Sequence, residues 1–170
     1  MNNIRVLESP FEPWVAADCR ILILGSFPSV KAIEQGYYYG NPQNRFYALM
    51  SALLNEDLVC PSGVSKKDIL LKHHIAICDV VASCRIKGSS DASIQAVKFI
   101  NLKAILEGTH IRHIFLNGGT ATNLFDKAFP EMIDWRTKLP STSPANARMR
   151  LANLVDAWSP IYQYLRPNNM

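Results

Sequence analysis

The residues that can do chemistry sit where apolar runs stop. Ile21-Leu22-Ile23-Leu24 is a continuous apolar run, and it ends in Gly25-Ser26-Phe27-Pro28-Ser29. Asp79 interrupts the run from His74 to Ala82, Asn117 follows Arg112 to Leu116, and Ser141 to Asn146 follows Trp135 to Leu139. A short apolar run bounded by Gly or Pro is the pattern of a strand buried on both faces. In an open parallel sheet, ligands bind just past the carboxyl ends of such strands. The groups that collect there are hydroxyls, side-chain amides and aromatics, with Asp79 as the strand-end acid. The segment Tyr37-Tyr38-Tyr39-Gly40-Asn41-Pro42-Gln43-Asn44-Arg45-Phe46 adds more of the same. Stacking surfaces and amides suit a flat, polar-edged ligand such as a nucleobase.

Several common chemistries are excluded. There is no GxSxG elbow, no GxxxxGK[ST] phosphate loop and no GxGxxG turn. The histidines, His73, His74, His110 and His113, lack HExxH spacing and lie outside the strand-end loops, so they read as packing or surface residues, and no metal site is expected. The cysteines, Cys19, Cys60, Cys78 and Cys84, make no CxxC pair and read as reduced thiols rather than disulfides or cluster ligands. What remains binds a base by stacking and amide hydrogen bonds, and breaks a reactive bond with positioned water and electrostatics. N-glycosidic cleavage is chemistry of this kind. The base leaves as a stabilised anion, so a strong general acid is not obligatory.

The chain of 170 residues is long enough to bury a core, and at 48% hydrophobic and 19% charged it is not of disordered composition. A net charge of +4 permits nucleic-acid binding without demanding it. No apolar stretch approaches the roughly 18 residues of a membrane span, and the N-terminus does not read as a secretory signal. A cytoplasmic protein is therefore expected; a monomer is expected too, at the nucleoid if its partner is DNA.

The elements that position these residues alternate. Strands are expected at Arg20 to Leu24, His74 to Ala82, Arg112 to Leu116 and Trp135 to Leu139. Helices are expected around Val30 to Gln35, at Arg45 to Leu54, from a cap near Ser65 to His73, at Ser93 to Glu107 capped by Ser90 or Asp91, at Ala121 to Ala128, and from Arg148 to a break at Pro160. Residues 1 to 19 read as a surface lead-in pinned by Phe11 and Trp14. Strands alternating with helices give βαβ units and a parallel sheet. The expectation is one α/β domain over residues 1–170, with its core at about 18–165: three α/β/α layers around a mostly parallel four-stranded sheet. The loops Gly25-Ser29, Ser83-Asp91, Asn117-Thr120 and Ser141-Asn146 should gather at one edge.

Five segments in order, GSFPS, YYYGNPQNRFY, ICDVVASC, FLNGG and LPSTSPAN, resemble the uracil-DNA glycosylase superfamily, in particular its hypoxanthine-DNA (DNA-deoxyinosine) glycosylases. The resemblance covers about residues 18 to 160. It implies an enzyme of base excision repair, without cofactor or lyase step, that flips a deaminated base out of double-stranded DNA and hydrolyses its glycosidic bond. Uracil-specific relatives often carry an Asp or Asn in the first motif loop and a His at the start of the second. This chain has neither, with Leu139 in the second place, and that favours hypoxanthine over uracil.

The resemblance makes Asn44 the catalytic amide that orients water, with Ser26 beside it and Asn41 as the competing choice. Gly25, Phe27, Pro28, Tyr39, Asn41, Asp79, Asn117, Ser141 and Ser143 are expected to bind the base. Phe27 stacks under it or is simply core, and Asn117 pairs with its edge or only shapes a loop. Asp79 binds base or water, or is a structural acid held by Ser83 or a backbone amide. Ser29, Pro144, Asn146 and Arg148 are expected to meet DNA, the Pro144 loop probing the gap left by the flipped base. Lys31, Arg45, Arg85, Lys87 and Arg150 are further candidates for phosphate contact. Two rival readings stay open: a non-catalytic nucleic-acid-binding module on the same fold, and a small-molecule nucleoside hydrolase.

Overall fold

The computed structural model describes residues 4–87 and 95–167. In chain order the elements are β1 (Ile4–Glu8), β2 (Ile21–Gly25), α1 (Val30–Gln35), α2 (Phe46–Leu54), α3 (Gly63–Lys72), β3 (Ile75–Asp79), β4 (Val81–Lys87), β5 (Gln95–Phe99), α4 (Leu102–Leu106), β6 (His113–Asn117), α5 (Gly119–Ala128), a 3-10 helix (Pro130–Trp135), β7 (Arg136–Leu139), α6 (Leu151–Trp158) and α7 (Ile161–Leu165).

Four strands form a parallel sheet in the order β3-β2-β6-β7. Side chains alternate across it, as a strand of period two requires. Ile21, Ile23, Ile75, Ile77 and Phe115 face a cluster completed by Phe46, Leu49 and Met50 of α2, Leu70 of α3, and Leu154 and Trp158 of α6. Leu22, Leu24, Cys78, Ile114 and Leu116 face the opposite cluster, closed by Leu102 and Ile105 of α4 and Ala121 and Phe125 of α5. This is the expected three-layer α/β/α arrangement. Every residue of β2 is buried, and each large aliphatic side chain so buried contributes about 1.5–3 kcal/mol. The chain leaves β2 toward β3 on one side and enters β6 on the other. The strand order therefore reverses beside β2, and a crevice opens outside the carboxyl ends of β2 and β6.

The structure adds a second sheet that the sequence pattern did not announce. β1, β4 and β5 form an antiparallel sheet in the order β1-β4-β5. The apolar run from His74 to Ala82, expected as one strand, is two: β3 ends at Asp79 and the chain passes into β4. At that bend the Val80 and Val81 N–H groups donate to the carbonyls of Gly25 and Ser26 at 2.8 and 3.0 Å, fixing the backbone of the loop after β2. The expected lead-in contains β1, and Trp14 exchanges two backbone hydrogen bonds with Ile77, both 2.9 Å. The expected helix from Ser93 is strand over Gln95–Phe99 and helix only over Leu102–Leu106, capped by Asn101 Oδ1. The proposed caps Ser90 and Asp91 lie outside the described residues. Ser62, not Ser65, caps α3. Pro130 opens a 3-10 helix rather than only closing α5. No helix among the described residues is long and apolar enough to cross a membrane.

Candidate active site

Three of the four expected loops do meet. Gly25, Ser26, Phe27, Pro28 and Ser29 after β2, Asn117 at the end of β6, and Ser141, Thr142 and Ser143 after β7 line one cavity of about 120 Å³. Asp79 from β3, Asn44, Tyr38, Tyr39 and Ala32 complete it. The described residues of the Ser83-Asp91 loop do not line this cavity. Residues 83 to 87 run in the antiparallel sheet, and the rest lies outside the described residues. A roomier cavity of about 500 Å³ lies between that sheet and α4, but its walls are mainly apolar, including Phe11, Val15, Val81, Phe99 and Ile105. Convergent polar groups, rather than volume, mark the smaller one as the candidate site.

One wall is a closed hydrogen-bond circuit. The Thr142 N–H donates to Asn117 Oδ1 at 3.0 Å, and Asn117 Nδ2 donates back to Thr142 Oγ1 at 3.0 Å. The Thr142 hydroxyl then donates to Asn44 Oδ1 at 2.8 Å, where the Phe46 N–H also donates at 2.9 Å. A backbone N–H is always a donor, so these bonds fix which end of each amide is oxygen. Both lone pairs of Asn44 Oδ1 are taken, and its two N–H groups are what it offers to the cavity. Asn117 keeps one N–H and one lone pair. Thr142 is wholly buried. The sequence reading passed over it, although its place between two motif serines was a usable signal.

The opposite corner is unsatisfied. Gly25 lies beside Asp79 in the β2–β3 register. A Cβ on Gly25 would sit 2.9 Å from Tyr39 Oη and closer still to Asp79 Oδ1, so only glycine lets these two oxygens converge. Tyr39 adopts a left-handed backbone (φ 58°) and stacks on Phe46, with ring centroids 4.2 Å apart. Its hydroxyl is buried without a hydrogen-bond partner: the Asn117 amide faces it but forms no well-aligned bond. Burial first, and then the neighbouring Asp79, push that phenol's pKa up. Asp79 is 5% exposed, and burial alone raises its carboxyl to about 7. It is not the Ser83- or amide-held structural acid that was the alternative, since among the described residues no hydrogen bond or salt bridge reaches its carboxyl.

The loop after β7 is held from inside. Arg45, expected at a phosphate, turns inward and donates to the carbonyls of Ser143 (3.2 Å), Asn146 (2.8 Å) and Met149. Asn146 Nδ2 donates to the Ser141 carbonyl at 2.9 Å, and Trp158 Nε1 to that of Pro140 at 2.9 Å. Pro144, Ala145 and Arg148 are left exposed at the tip. Ser29 caps α1 through its hydroxyl, at 3.1 Å from the Ala32 nitrogen. Asn41 is not among the cavity residues; its Oδ1 accepts from the Gln43 N–H at 3.0 Å and turns the chain toward Asn44. Phe27 packs into the core and also lines the cavity. Arg85 sits on the antiparallel sheet, and the Lys87 side chain lies outside the described residues. Cys19, Cys78 and Cys84 are buried free thiols, and Cys60 is exposed.

The fold is an α/β/α domain with a narrow polar cavity at the switch point of its parallel sheet, the place where open α/β sheets bind ligands. A family model described as the uracil DNA glycosylase superfamily matches residues 12–166, and the chain belongs to that superfamily. A protein of Methanosarcina acetivorans named hypoxanthine DNA glycosylase is 32% identical over 163 residues, covering 94% of this chain and 100% of that protein. One of the same name from Methanosarcina barkeri is 25% identical over 155 residues, 90% of this chain and 96% of that protein. A solution structure of a Methanosarcina acetivorans protein described as a candidate uracil DNA glycosylase superposes with a TM-score of 0.79 at 29% identity, covering 95% of this chain and 99% of that one.

Proposed function

We propose that this chain is a monofunctional DNA glycosylase that removes hypoxanthine from deoxyinosine in double-stranded DNA. The observation that carries this reading is the cavity at the switch point, where amides held rigid by backbone donors face a stacking side chain, in a chain similar to two proteins named for that activity. Phe27 stacks against the extruded base. Asn117 meets its edge with the N–H and lone pair it has left. Ser141, Ser143 and Pro28 close around it.

Asn44 holds the water by donating an N–H to its oxygen, with the Ser26 hydroxyl as the second contact. This differs from an amide that accepts a water proton, because the Asn44 oxygen is already committed to Phe46 and Thr142. The glycosidic C–N bond breaks with its electron pair passing to the base. The water oxygen then bonds to the sugar carbon, and a water proton ends on the base. Outside the cavity, Pro144 and Ala145 enter the stack where the base was, on a loop that Asn146 braces from inside. Arg148, exposed at the tip, and Lys138, exposed on β7 near Gly119, are the cations proposed to meet phosphates. Normal bases are spared in part because they stay paired and stacked.

The test is single-turnover cleavage of duplexes carrying one deoxyinosine, one deoxyuridine or neither, followed by alkali to break abasic sites. Cleavage at inosine well above uracil is expected. Cleavage mainly at uracil would overturn the base assignment, and binding without cleavage of either would turn the reading into a non-catalytic module.

A further inference from the structure

The mechanism above leaves one buried group unused. Asp79 puts a carboxyl into the cavity, and among the described residues that carboxyl makes no hydrogen bond or salt bridge. An unpaired buried charge is among the costliest features a fold can keep, and the group neutralises where it can. The titratable groups around it do not help it ionise. Tyr38 and Tyr39 come from the segment before α2, and Cys78 precedes it on β3; burial raises the pKa of all three. Glu12 and Lys98 line the apolar cavity that Asp79 also borders. Gly25 on β2 contributes only space.

The occupant of the cavity supplies the other half of the argument. A deaminated base presents a lactam, N–H beside C=O, and as the glycosidic bond breaks the negative charge spreads onto that carbonyl oxygen. An ionised carboxylate in the same pocket would repel it. A neutral carboxyl offers an O–H donor to the oxygen and a C=O acceptor to the N–H. Resting on the glycosylase reading, we propose that Asp79 works as the neutral acid: its carboxyl O–H donates to the lactam oxygen of the flipped base and supports that oxygen as the base leaves. Asp79 keeps its proton throughout, and the leaving base takes the glycosidic electron pair and later a proton from the attacking water. Tyr39 Oη, beside Asp79 and itself buried without a well-formed hydrogen bond, would orient the carboxyl by donating to its other oxygen.

The experiment compares the full-length protein with Asp79→Asn and Asp79→Ala, each first checked for a cooperative melt. Single-turnover excision from a deoxyinosine duplex is followed from about pH 5.5 to 8.5, and the unprotonated arm is expected to fall up to tenfold per unit. Asp79→Asn keeps a donor and an acceptor in the same shape. It should restore most of the rate lost in Asp79→Ala and flatten the pH profile. A wild-type rate that rises with pH, with Asp79→Asn as poor as Asp79→Ala, would overturn the proposal in favour of an ionised carboxylate. A flat wild-type profile, or full activity in Asp79→Ala, would overturn it too. A binding arm separates this from failure of the glycosylase reading. Preference for a duplex carrying 2′-fluoro-deoxyinosine over an undamaged one should weaken from pH 6 to about pH 8 in the wild type only. If the wild type cleaves no deoxyinosine, that reading falls, and a binding preference independent of pH sinks this one.

Discussion

The two walls of the cavity are built on opposite terms. On one side Asn44, Asn117 and Thr142 satisfy one another and two backbone donors, with separations of 2.8–3.0 Å. On the other, the Tyr39 hydroxyl is buried without a well-formed hydrogen bond, and the Asp79 carboxyl makes no hydrogen bond or salt bridge among the described residues. The satisfied wall fixes geometry before any ligand arrives, which is how positioned dipoles contribute to catalysis without reorganising. The unsatisfied wall costs stability while empty and recovers it when a polar edge fills the gap.

The sharpest way to break this comparison is at Asn44, the member of the locked wall that faces water. Asn44→Ala should lower single-turnover excision by about 10²–10³-fold, as loss of a preorganised donor does. Asn117→Ala should weaken base binding more than the chemical step. If the Asn44 variant keeps full turnover, the locked wall is scaffold and the chemistry lies elsewhere.

The unsatisfied wall is tested by stability rather than rate. A carboxyl held at about 7 in the fold against the ordinary 3.8 of an aspartate binds its proton more tightly in the native state. Between those values the native protein carries more protons than the unfolded chain, so stability falls as pH rises through that window. Above it the whole penalty is present, up to a few kcal/mol. Asp79→Asn removes the titration. Urea midpoints should show the variant more stable than the wild type near pH 8, by on the order of a few kcal/mol, and nearly level with it near pH 4. Equal midpoints at both pH values would mean that the carboxyl is paired or solvated in solution.

Thr142 sharpens the other side. Thr142→Val keeps the shape and removes the hydroxyl that joins the two amides. The Asn44 carbonyl retains the Phe46 N–H, while one Asn117 N–H loses its acceptor, a loss of about 1–3 kcal/mol. Excision should drop by about tenfold to a hundredfold, with KM for the duplex little changed, and Thr142→Ser should restore it. A loss confined to stability, with kcat intact, would make Thr142 a core residue only.

Much of this was legible in the sequence, for identifiable reasons. Buried parallel strands are continuous apolar runs ended by Gly or Asn, so β2 and β6 stood out, and with them the residues at their carboxyl ends; β7, Arg-Thr-Lys-Leu, has no such run and was legible only from its place before the Pro140 loop. Strand-end Asp79 was visible as an anomaly because one acid in an apolar run is costly to bury. The antiparallel sheet was hidden because Gln95–Phe99 is too short to separate period two from period 3.6, and because β3 and β4 run together with only a bend at Val80 between them. Arg45 was misread for a different reason. A cation beside a motif looks like a phosphate ligand, and only the fold shows the carbonyls of Ser143, Asn146 and Met149 converging on it. Long-range partners of this kind leave no local pattern.

The smallest expected effect falls on Tyr39. Removing its hydroxyl in Tyr39→Phe deletes a buried donor that has no partner in the empty cavity, while the stack on Phe46 and the backbone at φ 58° are untouched. The free protein should therefore be unchanged or slightly more stable, within about 1 kcal/mol, in contrast to the usual cost of cutting a buried hydrogen bond. If the hydroxyl orients the Asp79 carboxyl when a base is bound, the same variant should weaken deoxyinosine excision several-fold and leave a residual rate that still falls with pH. A clear loss of stability in the free protein would mean that the hydroxyl is bonded after all, and the contrast between the two walls would shrink to Asp79 alone.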